Sequence, residues 1–177
     1  MAKTYPKRSL GVRLEDHPVL SYAARHEPEG ALQTFPAGSP VMFSGGFVVE
    51  AANPVAAMLG LAIEAGKNAP AGTRLTKFIP AIDGVLVYGN LLAAAAADRV
   101  LAAADLGASY RLSKDPALLG AGKPGWYIEA TATTTASKVV SFRSDLIVPN
   151  EPKDRAEPGD TNPRVGVIVL DSVRQWK

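Results

Sequence analysis

Pro40-Val41-Met42-Phe43-Ser44-Gly45-Gly46-Phe47-Val48-Val49-Glu50 is the stretch that decides the fold class. Two runs rich in branched and aromatic residues, 41–43 and 47–50, flank a Gly-Gly pair. Such runs are too short and too branched to read as helices. Glycine tolerates the positive φ that a tight hairpin turn requires. The segment therefore predicts two strands joined by a tight turn.

The same texture extends outward. Residues 59–63, 75–79 and 85–88 are further strand candidates, with turn signals at Asp83-Gly84 and Gly89-Asn90. Residues 91–106 are ambiguous, because alanines at 93–97 and 102–104 favour helix on propensity while Asp98, Arg99 and Asp105 leave no clean stripe. Asn90 is a possible cap and Gly107 a possible stop. The segment is expected to form a strand near 91–96 and then a short helical turn around 102–106. Strand candidates resume at 110–112, 126–130, 139–143 and 165–170, with Pro124-Gly125 as a turn before Trp126. Threonine-rich residues 131–135 suit a loop or a ragged edge strand. Residues 149–163 form a long polar connection with four prolines, a length that is usually functional or disordered. Trp176 has no obvious place in a core. Short strands at regular spacing predict an all-β chain, a barrel or sandwich with one short helix.

Residues 1–31 differ from the rest. Lys3, Lys7, Arg8 and Arg13 are basic, Pro6, Pro18 and Pro28 prevent a long helix, and the only apolar cluster is Val19, Leu20, Tyr22 and Ala23. The expected organisation is an extended N-terminal arm over 1–31, ordered against a partner or a neighbouring subunit, and a β domain over 32–177.

Bulk composition narrows the function classes. The chain has 177 residues, enough for one domain with an arm, and 47% hydrophobic content, enough for a core. A net charge of +2 is too weak to argue for nucleic acid as the main partner. There is no cysteine, which removes disulfides, thiolate catalysis and cysteine-based zinc sites. Met1 to Leu20 has no apolar core of a secretory signal. No apolar run approaches the roughly 20 residues that span a bilayer, so no membrane association is expected.

Chemical motifs are sparse. His17 and His26 could recruit Asp16 or Glu27, but the spacing matches no metal pattern. Gly120-Ala121-Gly122-Lys123 lacks the hydroxyl residue after the lysine that a phosphate loop needs, and reads better as a glycine-rich turn before the Trp126 strand. No Gly-x-Ser-x-Gly elbow occurs. Glu50, Glu64, Asp83 and Glu129 lie in or beside strands, yet nothing singles out a catalytic pair. Trp126 and Tyr127 could line a pocket for a small ligand or carbohydrate, although buried aromatics are more often core. An enzyme is not expected.

The order of several segments carries the sequence further. Thr34-Phe35-Pro36-Ala37-Gly38-Ser39-Pro40-Val41 precedes Gly46-Phe47-Val48-Val49-Glu50-Ala51-Ala52 and then Met58-Leu59-Gly60-Leu61-Ala62-Ile63-Glu64. Lys77-Phe78-Ile79-Pro80-Ala81, Val85-Leu86-Val87-Tyr88-Gly89-Asn90, Asp105-Leu106-Gly107 and Gly125-Trp126-Tyr127-Ile128-Glu129 follow. Gly159-Asp160-Thr161-Asn162-Pro163-Arg164-Val165 closes the series. This series, covering roughly 32–170, resembles bacteriophage head-decoration (cement) proteins. The resemblance implies a compact β-barrel or β-tulip-like body, no cofactor, and a place on the outer capsid surface of the virion. It implies the major capsid protein and further copies of this chain, as a homotrimer, as partners. Lys3, Tyr5, Lys7, Arg8 and Arg13 of the arm are then the candidate contacts to capsid or neighbour. Another virion β-module, such as a head-fibre base or tail component, is the alternative.

Overall fold

The computed structural model describes residues 2–8, 10–12, 24–82, 85–130, 136–141 and 155–175. Among these residues the chain is nearly all β, with eleven strands and two 3-10 turns. The strands are β1 (Gly11–Val12), β2 (Arg25–Pro28), β3 (Pro40–Ser44), β4 (Phe47–Glu50), β5 (Gly60–Ala62), β6 (Leu75–Pro80), β7 (Val87–Leu92), β8 (Ser109–Asp115), β9 (Gly125–Glu129), β10 (Ser137–Ser141) and β11 (Arg164–Val169).

Two sheets result. In the first, β7, β11, β10, β8 and β9 are hydrogen-bonded in that order, and a parallel β7–β9 pairing, Leu91 with Ile128 and Leu92 with Glu129, closes the ring into a five-stranded barrel. Strand β1 adds to β7. The second sheet runs β2-β6-β5-β3-β4. Its two ends meet at a bridge between Glu29 and Val48, with the Gly30 amide donating to the Val48 carbonyl at 2.8 Å. Closing the barrel removes the edges that its five strands would otherwise offer to template aggregation.

Alternation along the strands builds two connected cores. Phe35, Val41, Val48, Leu59, Ala62 and Phe78 fill the second sheet. Val87, Leu91, Leu112, Trp126, Ile128, Val139, Val165 and Val167 fill the barrel, and Leu61 of β5 with Val55 and Met58 of the β4–β5 connection join that same cluster. Leu61 and Ala62, adjacent in β5, thus face different cores. The Val55 amide donates to Leu112 and the Met58 amide to Val173, so the β4–β5 connection is tied to β8 and to the segment after β11 by main-chain bonds as well.

The Gly45-Gly46 turn forms as expected, with φ of 58° and 85°. The glycine-rich turn before Trp126 also forms, with Gly120 and Gly122 at positive φ and Lys123 donating to the Gly120 carbonyl. It lies before Pro124, and Gly125 is the first residue of β9 rather than part of the turn.

Three other expectations need correction. Gly89-Asn90 is no turn; β7 runs straight through it, and both residues are buried. Gly89 is required because a Cβ there would lie 2.4 Å from Leu10 Cδ2. The strand expected over 91–96 ends at Leu92, and 94–96 form a 3-10 turn, tied inward where the Ala96 amide donates to the Tyr127 hydroxyl at 3.1 Å. The short helical turn expected around 102–106 does form, as a 3-10 turn at Ala103–Asp105. Finally, the described parts of 1–31 do not stand off as an arm: β1 and β2 pair with the body, and Tyr5 and Leu10 sit in the barrel core. Asp83-Gly84, 131–135 and Trp176 lie outside the described residues, as does 149–154 of the long connection.

Gly60 offers a direct test of the β5–β6 pairing. A Cβ at this position would lie 2.2 Å from the Ile79 carbonyl oxygen, which is backbone and cannot swing away. Gly60→Ala is expected to destabilise the protein by about 1–3 kcal/mol through forced strand displacement. A chemical melt checks it: the midpoint falls while the slope stays unchanged.

Candidate functional site

Residues 2–8 lie along one side of the barrel, and mostly their main chain is held. The Lys3 amide donates to Asp160 Oδ1 at 2.7 Å. The Lys3 carbonyl accepts from the Thr161 amide at 2.7 Å, and the Tyr5 amide donates to the Thr161 carbonyl at 3.0 Å. Thr4 and Thr161 thereby form a parallel bridge, and Thr161 pairs on its other side with Val100. Further along, Asn90 Nδ2 donates to the Pro6 carbonyl at 3.2 Å, and Asn90 Oδ1 accepts from the Arg8 amide at 2.8 Å.

Two buried polar residues organise this seat. Asn90 is fully buried in β7 and also donates to the Asn162 carbonyl at 2.7 Å. Arg164, only 2% exposed, donates to the Arg8 carbonyl, to Asn90 Oδ1 and to the Tyr88 carbonyl at 3.4–3.5 Å. Buried polar groups are costly unless partnered, and here the arm backbone supplies part of the partnership. Asp160 spans Lys3 and the Glu157 amide, and Asn162 spans the Arg99 amide and Asp98.

The five arm residues singled out in the sequence thus fall into different roles. Tyr5 is 4% exposed in the core, its hydroxyl donating to the Arg155 carbonyl at 3.3 Å. It cannot serve as a surface contact while seated. Lys7 Nζ donates to the Ala96 carbonyl at 2.7 Å and pairs with Asp98 at 2.9 Å. Lys3 is half-buried and Arg8 is exposed. Arg13 lies outside the described residues. Asn90, Asp160, Asn162 and Arg164 were missed as site residues. Their only signal was position within the segments that carry the resemblance, since nothing local says that they meet.

Beside the arm runs an apolar rim. From Ala93 to Leu106 the outward apolar side chains are Ala94, Ala95, Ala97, Val100, Ala102, Ala103, Ala104 and Leu106, with Val100 56% and Leu106 52% exposed, and the exposed Asp98, paired with Lys7, interrupts them. Ala96, Leu101 and Asp105 point inward and are buried. The Leu101 amide donates to Asp160 and the Asn162 amide to Arg99, so the rim and the arm seat share one frame.

Asp105 pins the rim from below. It accepts from Arg99 Nη2 at 2.6 Å, from the Ala102 amide at 2.8 Å and from the Tyr110 hydroxyl. The Arg99 guanidinium lies 5.9 Å from the centroid of the Tyr110 ring. Burial alone would raise the Asp105 carboxyl; the hydrogen bonds and the guanidinium outweigh it and hold the carboxyl below its ordinary value. Tyr110 moves the other way, pushed up to about 12 by burial and by the Asp105 carboxylate. A depressed acid contributes stability above its unfolded pKa and loses it as pH falls through the folded value. A raised tyrosine contributes below its unfolded pKa and loses that contribution as pH rises toward about 12. Thermal melts should therefore lose stability as pH drops below the carboxylate range, with a shallower acid limb in Asp105→Asn. The loss above about pH 10, where tyrosine normally ionises, should be shallower in Tyr110→Phe.

Other candidate chemistry is engaged structurally. Glu50 accepts from Trp126 Nε1 at 2.9 Å and pairs with Lys114 at 2.7 Å. Glu64 pairs with Lys67 at 2.7 Å, and Glu129 pairs with Arg111. Each of these carboxylates is drawn to its own cation; Asp83 lies outside the described residues. His26 is exposed on β2, while His17 and Asp16 lie outside the described residues. Among the described residues no group of three or more metal-ligating side chains comes together. Trp126 and Tyr127 are 0% and 2% exposed and belong to buried apolar clusters. Among the described residues no helix is long and apolar enough to cross a membrane.

Comparison with family models, with curated proteins and with solved structures gives no match.

Proposed function

We propose that this chain is a structural virion protein that binds the outer surface of a mature bacteriophage capsid and stabilises junctions between major capsid protein subunits. The observation that carries this is the composite face built from the seated arm and the rim. Eight outward apolar side chains, six of them alanines, sit on a backbone pinned by Asp105, Asn162 and Tyr127. Alanine has no rotamer freedom to lose on contact, so such a surface docks at low entropic cost. Clustered exposed apolar side chains, here bordered by the Lys7–Asp98 pair, suit an interaction site. The order of segments quoted above, which resembles head-decoration proteins, supplies the identity of the partner.

The physical role follows from packaging. A head filled with DNA is stressed outward, and a clamp across subunit junctions adds buried area where they would part. A standard interface takes roughly 800 Å² from each partner. That is about a tenth of this chain's 8595 Å² surface. Several such contacts made together by a trimer slow its release far more than one contact does. With Trp126 and Tyr127 buried, the ligand-binding barrel loses the residues that suggested it.

Co-sedimentation with undecorated mature capsids and with unexpanded proheads tests the proposal. Saturable binding to mature heads at a fixed ratio to the capsid subunit is the expected result. Absence of binding to both particles overturns it.

A further inference from the structure

The arm is bound to its body in the manner of a peptide in a receptor. The seat made by Asn90, Asp160, Thr161 and Arg164 reads the main chain of residues 3–8. Two side chains of the segment, Tyr5 and Leu10, plug into the core as anchors. Main-chain ladders for register and side-chain pockets for specificity are how proteins take up an added strand. Seen this way, the ligand class of the seat is an extended peptide with an aromatic anchor and, five residues on, a branched aliphatic one.

From this, and resting on the homotrimer of the function proposed above, we infer that the seat takes this segment from a second copy of the chain, so that neighbouring copies exchange residues 2–12. Exchange keeps every contact of the seat, including both anchors, and therefore costs only the association itself. The tether permits it. Eleven residues join Val12 to Ala24, and a chain of that length spans up to about 40 Å when extended. The surface around the seat favours a second copy over an unrelated peptide. Lys7 reaches across to the Ala96 carbonyl and Asp98, so an incoming arm lies directly on the edge of the apolar rim. Val100 and Leu106 are exposed beside that edge and would be left uncovered by a lone strand, so a second copy's body has apolar surface to meet there.

Disulfide trapping tests the exchange without any capsid. The chain has no cysteine, so introduced pairs report alone. Thr4 and Thr161 face each other in a parallel bridge, and strand neighbours lie about 4.8 Å apart, within the about 4.4–6.8 Å that a disulfide bridges. Full-length Thr4→Cys and Thr161→Cys chains, carrying tags of different size, are refolded together and oxidised. A double variant with both cysteines in one chain serves as the control, and far-UV circular dichroism verifies folding. The expected result is a disulfide-linked species holding one chain of each kind, its fraction rising with protein concentration during refolding. A control that closes within single chains, with no linked species from the mixture, overturns exchange. A control that never closes overturns the seat itself. Capsid binding without exchange leaves the decoration role standing, and exchange without capsid binding leaves only the self-association.

Discussion

Trp126→Ala is expected to destabilise the protein by about 3–5 kcal/mol, the largest effect of any single truncation in this fold. Trp126 is the largest fully buried side chain, near the start of β9, packed inside the barrel. Its loss removes apolar burial and leaves a cavity that the closed ring cannot easily collapse. A second penalty follows from its indole, which donates to Glu50 Oε1 at 2.9 Å and links the barrel to β4 of the second sheet. Glu50 then keeps only Lys114 and Ser39 as side-chain partners. For a domain of this size the melting temperature should fall on the order of 10 °C. Trp126→Phe separates the two contributions: it keeps most of the ring volume and loses the hydrogen bond, so it should cost clearly less than alanine. Equal losses for the two variants would mean that the Glu50 link, rather than packing, dominates.

Arg164→Met should cost about 2–4 kcal/mol, because it leaves buried carbonyl and amide oxygens short of a donor. The acceptors at stake belong to Arg8, Asn90 and Tyr88. Lysine should not rescue the loss, since a single ammonium cannot reproduce the planar fork that reaches several acceptors. This effect has a local signature that Trp126 lacks. One of these acceptors, the Arg8 carbonyl, is in the arm, so Arg164→Met should loosen residues 2–8 before the barrel unfolds. Limited proteolysis under native conditions checks this: cleavage in the first dozen residues should accelerate while the body stays resistant. Uniform cleavage throughout the chain would show that Arg164 supports the barrel alone.

The all-β class was legible in the sequence because it rests on short-range facts. Branched and aromatic runs at 41–43 and 47–50 favour extended backbone by their own sterics, and Gly45-Gly46 provides positive φ with no help from elsewhere. The turn at Gly120 and Gly122 is equally local. The same local rules misjudged Gly89-Asn90. Those residues look like a turn, yet Gly89 is small because Leu10 and Ile128 press on it, and Asn90 is polar because the arm backbone needs its amide. The alanine run leaves strand and helix open by propensity; the short turn near 102–106 forms, while the strand expected over 91–96 gives way to a 3-10 turn because single anchors at Ala96 and Asp105 bend the run.

What the sequence by itself determined is therefore the all-β class, most of the strands between β3 and β11, two of the tight turns and the absence of thiol chemistry. Only the tertiary structure decided that the strands close into a five-stranded barrel beside a second sheet, and that Tyr5 belongs to the core. It alone brought Asn90, Asp160 and Arg164 together around residues 3–8. The physical reason is separation along the chain. Asn90 stands 82 residues from Arg8, and Arg164 stands 156 from it. No local propensity encodes a bond across such distances; it exists only once the barrel has placed both partners on one side.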